Sequence, residues 1–267
     1  MTRSRVVVSI RSFLLDHIQS DCEYLEYLAR SISVPFSGFE LTWGPEEVMA
    51  LSQSDLDGIA TLIERYRHNT LHCGGDGDRA FGESRDLMAR WVSVVRFFAE
   101  RELIKSVTIH SDDIGDWDIP SQFDGQLDCC AEVMGRNGRS HNRFWEIREL
   151  VDRTKGWKLT LDTAHIREMY LEGEPGLDTY LSSFEHDIGH IHFSSCDNVY
   201  RDVPGYSEFE TRHALVSISP EFKRTWISPS FETLKKYPVT LEGVVPNEPL
   251  FWQAFEEELK LFGPIEL

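Results

Sequence analysis

Short apolar segments recur along this 267-residue chain, and most of them finish on a side chain that can bind a metal. NTLHCGG carries His72, SVTIHS carries His110, and LDCCAE reaches Glu132. WKLTLDTAH carries Asp162 and His165, IGHIHFSS carries His190 and His192, and VTLEG ends at Glu242. Two earlier segments, Val6–Ile10 and Gly38–Trp43, bring the total to eight. Strands that deliver imidazoles and carboxylates at one common end describe a barrel with a metal site in its mouth.

The remaining pattern agrees with that reading. The spacing predicts strands over Val6–Ile10, Gly38–Trp43, Asn69–Cys73, Ser106–Ser111, Gln126–Val133, Trp157–Asp162, Ile188–Ser194 and Val239–Gly243. Between them lie helical patterns, clearest over Ser84–Ile104, where Leu87, Trp91, Val94, Val95 and Phe98 recur at helical spacing. Further helices are predicted over Glu46–Tyr66, Asn142–Thr154, Asp178–Phe184 and Pro249–Phe262. Strand alternating with helix means parallel pairing, and eight such units fit a barrel of about 250 residues. The expected fold is therefore α/β, a (β/α)8 TIM barrel forming a single domain over 1–267. Asn198–Tyr237, after the seventh strand, has room for a lid.

Side chains alternate across a strand. Leu159 and Leu161 oppose Thr160 and Asp162; Val107 and Ile109 oppose Thr108 and His110; Ile191 and Phe193 oppose His190, His192 and Ser194. The aliphatic faces thus point to a helical ring, and the polar faces point into the barrel.

Composition excludes several classes. No apolar run reaches the roughly 18 residues of a membrane span. The apolar stretch near the N-terminus is too short for a signal peptide, and the five cysteines have no CxxC spacing, so reduced thiols in a cytoplasm are expected. A formal net charge of −18, with no basic stretch interleaved with aromatics, counts against nucleic acid. HCGGDGD lacks the Lys-Ser/Thr of a Walker loop and reads as a flexible active-site loop.

The motifs resemble those of the xylose isomerase-like TIM barrels, which include sugar isomerases and epimerases and the endonuclease IV type of abasic-site nuclease. CAEVMGRNG is similar to the fifth-strand Glu motif, LTLDTAHI to the Asp-x-x-His motif, HIHFSSCDN to the seventh strand, and VTLEG to the closing Glu. The similarity spans roughly 37–245. In the isomerase branch the resemblance implies a divalent metal on Glu132, Asp162, His192 and Glu242. In the endonuclease branch it implies additional ions on His72, His110, His165 and His213. Two departures are visible. Thr211 stands where the nuclease pattern has Asp, and Ser194 and Ser195 stand where both branches commonly carry Asp.

The residues support these roles on their own chemistry. Glu132 and Glu242 lie three strands apart, and buried carboxylates are costly unless paired or metal-bound. Asp162 is either a ligand or a helix cap. His165 suits a second ion or proton movement near neutral pH, which places it with Glu132 and Glu242 as a catalytic candidate. His190 is either a substrate contact, a donor behind a ligand, or a satisfied core histidine. Arg136 and Arg212 are candidates for binding an anionic substrate group by forked hydrogen bonds. Mixed imidazole and carboxylate donors admit Zn, Mn, Co or Fe, in one to three ions. Three functions remain open: a sugar or sugar-phosphate isomerase or epimerase working through an enediolate, a multinuclear phosphoester hydrolase, and a non-catalytic ligand-binding relic. The substrate in the first two is a small sugar or a phosphoester; oligomeric state is not legible.

Overall fold

Valine, isoleucine or threonine recurs in seven of the eight short strand segments, and β-branched residues suit a pleated chain. In the computed structural model they form β1 (Val6–Ser9), β2 (Gly38–Thr42), β3 (Asn69–Cys73) and β4 (Ile104–His110). They continue as β5 (Asp128–Glu132), β6 (Trp157–Asp162), β7 (Ile188–Phe193) and β8 (Val239–Leu241). The structure describes residues 3–15, 18, 20–74, 84–114, 117–123, 125–136, 140–197, 199–200 and 213–266. Each strand pairs in parallel with the next, and β8 returns to β1, closing an eight-strand barrel. The fold is the expected (β/α)8 TIM barrel.

The helices are α1 (Asp21–Ser31), α2 (Pro45–Ala50), α3 (Gln53–Ile63), α4 (Arg85–Ala99), α5 (Phe144–Arg153), α6 (Thr163–Leu171) and α7 (Leu177–Ser183). Two short ones, α8 (Pro220–Phe222) and α9 (Phe231–Leu234), precede α10 (Pro249–Leu261). The single helix predicted over Glu46–Tyr66 is two. Ser52 and Asp55 form a reciprocal capping box that starts a new helix. The helix predicted to run to Ile104 ends at Ala99, because Glu102 turns with φ 56° and Ile104 already belongs to β4. Asp21–Ser31 escaped prediction because it buries only Leu25 and Leu28. Thr163–Leu171 escaped because it starts directly at the end of β6.

The connection 198–237 departs from the expected open loop. Its described part is largely wall: Leu215, Val216, Phe222, Trp226, Ile227 and Leu234 are buried, and Trp226 Nε1 donates to the Thr163 carbonyl at 3.1 Å. A Ser195–Ala214 bridge ties residue 214 to the end of β7. Residues 201–212, where a lid would have to lie, are outside the described residues.

Two shells divide the work of the barrel. Outward, Val8, Phe39, Leu41, Leu71, Val107, Ile109, Leu159, Leu161, Ile191 and Leu241 pack into one continuous core with the helices. Full burial of such side chains contributes about 1.5–3 kcal/mol each. Inward, the strands present Glu40, Thr70, Thr108, Thr160, His190 and Thr240, all fully buried. Barrel interiors usually carry bulky branched residues. Here the helix-facing shell supplies the hydrophobic stabilisation, which leaves the interior to polar groups.

Glu258 on α10 is a buried carboxylate away from that interior. Its Oε2 accepts the Ser217 amide N–H at 2.8 Å, and Oε1 has no partner. Burial pushes its carboxyl from 4.5 up to about 8, with the Ser217 hydrogen bond offsetting part of the rise. A carboxyl raised in the folded state adds stability below its unfolded value and loses it as pH rises through the folded value. Glu258→Gln is expected to flatten the decline in Tm between about pH 4.5 and 8. An identical pH slope in wild type and variant, by thermal melts, would contradict this origin.

Candidate metal and catalytic site at the barrel mouth

The C-terminal ends of the strands bring four donors together. Glu132 closes β5, Asp162 closes β6, His192 lies near the end of β7, and Glu242 follows β8. Strand register sets them level: Glu132 pairs with His110, and Asp162 with His192. The Glu242 amide donates to the Phe193 carbonyl at 3.2 Å, which holds that glutamate beside β7. One ligand atom from each of Glu132, Asp162, His192 and Glu242 lies within 4.8 Å of the others. His192 Nδ1 stands 3.3 Å from Glu132 Oε1 and 3.4 Å from Glu242 Oε2. Three of the four are fully buried, and the Glu242 side chain is 16% exposed, so it forms the open side.

Asp162 caps the helix that follows it and keeps one oxygen open to a ligand role. Oδ1 accepts the amide N–H groups of Ala164 and His165 at 2.7 and 2.8 Å and caps α6. Oδ2 is buried without a hydrogen-bond partner, as are Glu132 Oε2 and Glu242 Oε2. Buried oxygens are seldom left unpartnered. Three orphaned carboxylate oxygens and an imidazole around one point fit a divalent cation of the Zn, Mn, Co or Fe type.

The electrostatics carry the same signature. Burial alone would raise Glu132, but His192 and His72 beside it hold its carboxyl well below the usual range. Glu242 goes the other way: burial, reinforced by Glu132, Asp162 and Glu40 against the pull of His192, pushes it well above. His192 is itself raised, because Glu242, Glu132 and Glu40 more than offset its burial. Too many carboxylates share this space for all of them to ionise without a cation.

The outer histidines converge on the same carboxylates. His72 Nε2 is 3.0 Å from Glu132 Oε2, and His110 Nε2 is 3.7 Å from the same oxygen. Their rings lie 5.1 Å apart, as neighbouring strands required. His165 Nε2 is 3.9 Å from Glu132 Oε1, and its ring is 5.1 Å from that of His213. His213 Nδ1 is 3.6 Å from both Asp162 Oδ2 and Glu242 Oε2. Ser194, one of the departures from the family pattern, is 2.9 Å from His213 Nδ1 and so holds that ring. Despite burial, His165 is raised to about 9 by Asp162, Glu168 and Glu132, whereas burial lowers His213 to about 4.

Gly135 in the CAEVMG segment makes room for this arrangement. A Cβ there would stand 2.4 Å from His165 Nδ1 and 2.5 Å from Glu168 Oε2.

The other expected residues fall elsewhere. His190 is fully buried one layer beneath His192, with Nε2 2.6 Å from Thr240 Oγ1. It occupies the barrel floor, away from the open side where a substrate contact was expected. Arg136 sits in an exposed ion pair with Glu172 at 3.5 Å. Arg212 and Thr211 are outside the described residues.

Three carboxylates were not anticipated. Asp113 Oδ2 is 3.5 Å from His110 Nδ1, and Glu168 Oε2 is 3.7 Å from His165 Nδ1. Each follows its histidine by three residues, a spacing visible in the sequence. Glu40 lies mid-strand in β2, fully buried; burial would raise it, yet His192, then His72 and His190, hold it near 2.

No family model and no curated protein matches this sequence. Solved structures do match. A D-tagatose 3-epimerase-like protein aligns at TM-score 0.62 and 15% identity over 97% of this chain and 96% of its own. D-allulose 3-epimerase from Methylomonas sp. aligns at 0.59 and 13%, covering 95% and 90%. 3-Keto-D-glucoside 4-epimerase from E. coli aligns at 0.55 and 15%, covering 97% and 99%. At this identity the likeness is one of fold, a closed eight-strand barrel over nearly the whole chain.

Ligation requires Glu242 and His192 to give up protons they hold more tightly than usual. Calorimetric titration with Zn²⁺ at neutral pH, in buffers of differing protonation enthalpy, is expected to show at least one proton released per ion. Binding without proton release would contradict the crowding described above.

Proposed function

We propose that this protein is a divalent-metal-dependent isomerase or epimerase of a sugar or sugar phosphate. The observation that carries the reading is the ring of Glu132, Asp162, His192 and Glu242, with two glutamates facing one another from β5 and β8. A divalent ion on these four would supply positive charge beside two adjacent oxygens of the substrate and favour an enediolate. The flanking glutamates then exchange protons with the carbon next to the carbonyl. One carboxylate takes the proton, and the opposite one, protonated, returns it to the neighbouring or inverted position. His165, raised to about 9 and adjacent to Glu132, donates a hydrogen bond to a substrate oxygen. The helical wall behind the mouth limits water around the enediolate. Two fold relatives are epimerases by name and a third is named epimerase-like, which agrees with the reading. The strongly acidic chain also suits a neutral sugar better than a polyanion.

One observation favours a second reading, a multinuclear phosphoester hydrolase. Further donor groups adjoin the central four, among them His72–Glu132–His192, Asp162–His165–His213 and Glu40–His72–Glu242. Two or three ions suit in-line displacement at phosphorus.

The readings separate in one experiment. Protein loaded with Mn²⁺ or Co²⁺ is incubated in D₂O with a panel of ketoses, aldoses and their phosphates. Deuterium is expected to enter the carbon next to the carbonyl, and Glu132→Gln is expected to slow that exchange about 10²–10⁴-fold. No exchange across the panel, with chelator-sensitive cleavage of abasic duplex DNA or another phosphodiester, would replace the first reading with the second.

A further inference from the structure

Glu40 takes no part in the proposed proton transfers, yet it is among the most buried charged groups in the barrel. It enters from the middle of β2, one layer below the mouth, where Gly38, Glu40 and Thr42 share the inward face. Its Oε2 accepts the hydroxyls of Thr70 and Thr240 at 3.1 and 3.0 Å. His192 Nε2 lies 3.3 Å from the same oxygen. That nitrogen forms no aligned hydrogen bond, and neither does Glu40 Oε1. Glu40 Oε2 already accepts two hydroxyls, and His192 Nε2, 3.3 Å away and without another partner, is placed to be a further donor to the same carboxylate after a small rotation of the imidazole.

We infer that Glu40 is a positioning residue: its carboxylate receives the Nε2–H of His192 and turns Nδ1 of that ring toward Glu132 and Glu242. The inference rests on the reading of His192 as a metal ligand. Metal-binding histidines commonly donate their second N–H to a carboxylate, which fixes tautomer and ring orientation and raises ligand basicity. Nδ1 faces the mouth carboxylates at 3.3 and 3.4 Å and shares a hydrogen bond with Glu132 Oε1, the contact a bound ion would replace, and Nε2 faces Glu40.

The surroundings hold Glu40 in that role. Thr240 has one hydroxyl proton and directs it to Glu40. Its oxygen therefore accepts from His190 Nε2 at 2.6 Å, so His190 carries its proton on Nε2. His190 thus buttresses Thr240, Thr240 and Thr70 buttress Glu40, and Glu40 aims His192. The other two rings stand farther off: His190 keeps its Nε2 3.9 Å from Glu40 Oε2, and His72 keeps its Nδ1 4.0 Å from Oε1. Glu40 is fully buried beneath His192, and the contact that carries its effect to the mouth is the one with that histidine.

Two measurements test this. The first is ion affinity by competition with a chromophoric chelator, for wild type and Glu40→Gln, with the fold checked by circular dichroism. Glutamine keeps the shape but replaces the charged acceptor, and a 10–100-fold loss of affinity is expected. Affinity within twofold of wild type in a folded variant would overturn the inference. The second is ¹⁵N chemical shifts of the His192 ring, assigned by their loss in His192→Asn. These are read in wild type at a pH where the ring is neutral, and again with Zn²⁺. A proton on Nε2 and a bare or ligated Nδ1 are expected; the reverse tautomer would overturn the inference even if Glu40→Gln fails to fold. Absence of ion binding by wild type would instead sink the functional reading. The tautomer of the ion-free ring would still decide what Glu40 does.

Discussion

The mutual repulsion of buried carboxylates governs this structure. Glu132, Asp162 and Glu242 place oxygens within 4.8 Å of one another, and Glu40 lies beneath them. Two unit charges about 4 Å apart at an effective dielectric constant of about 20 repel by about 4 kcal/mol. The chain answers with positive charge or retained protons. His192 stands between the acids, His72 and His110 approach Glu132, and Glu242 keeps its proton beyond the usual range. A divalent ion held there would resolve the same conflict more completely, because it would replace the repulsion between acids with attraction to a common centre.

Only a frame stabilised elsewhere can tolerate such a centre. The outward faces of the strands and the inward faces of the helices form one apolar shell, which supplies the hydrophobic stabilisation. The barrel interior is consequently available for threonines that hydrogen-bond across it, such as Thr108 with Thr160 at 2.8 Å. These threonines and His190 form a polar floor on which Glu40 and His192 rest. Strand register turns the frame into function: the alternation that sends Leu159 and Leu161 outward sends Thr160 and Asp162 inward.

Most of this was legible in the sequence because alternation is a local property. Polar and aliphatic faces could be separated in the fourth, sixth, seventh and eighth strands, which aimed His110, Asp162, His192 and Glu242 inward; His72, Glu132 and His165 were marked by their places at strand ends and by the family resemblance. His190 was legible as inward but not as floor, since depth along a strand depends on the shear between neighbours. Glu40 was missed because it sits mid-strand, whereas attention to strand ends favours Glu132 and Asp162. Its signal was present, a charge on the inward face of GFELT flanked by glycine and threonine. The length of the connection after β7 suggested a lid. What decides otherwise for 214–234 is the burial of Phe222, Trp226 and Leu234 against the barrel, a tertiary fact that loop length does not encode.

The central claim is that the four mouth donors enclose one divalent ion. The most direct measurement is an anomalous difference map from crystals grown with Mn²⁺ or Zn²⁺. The account requires a peak bonded at about 2.0–2.2 Å to oxygens of Glu132, Asp162 and Glu242 and to His192 Nδ1. A map with no peak among these four side chains, at full exposure to the ion, would contradict it.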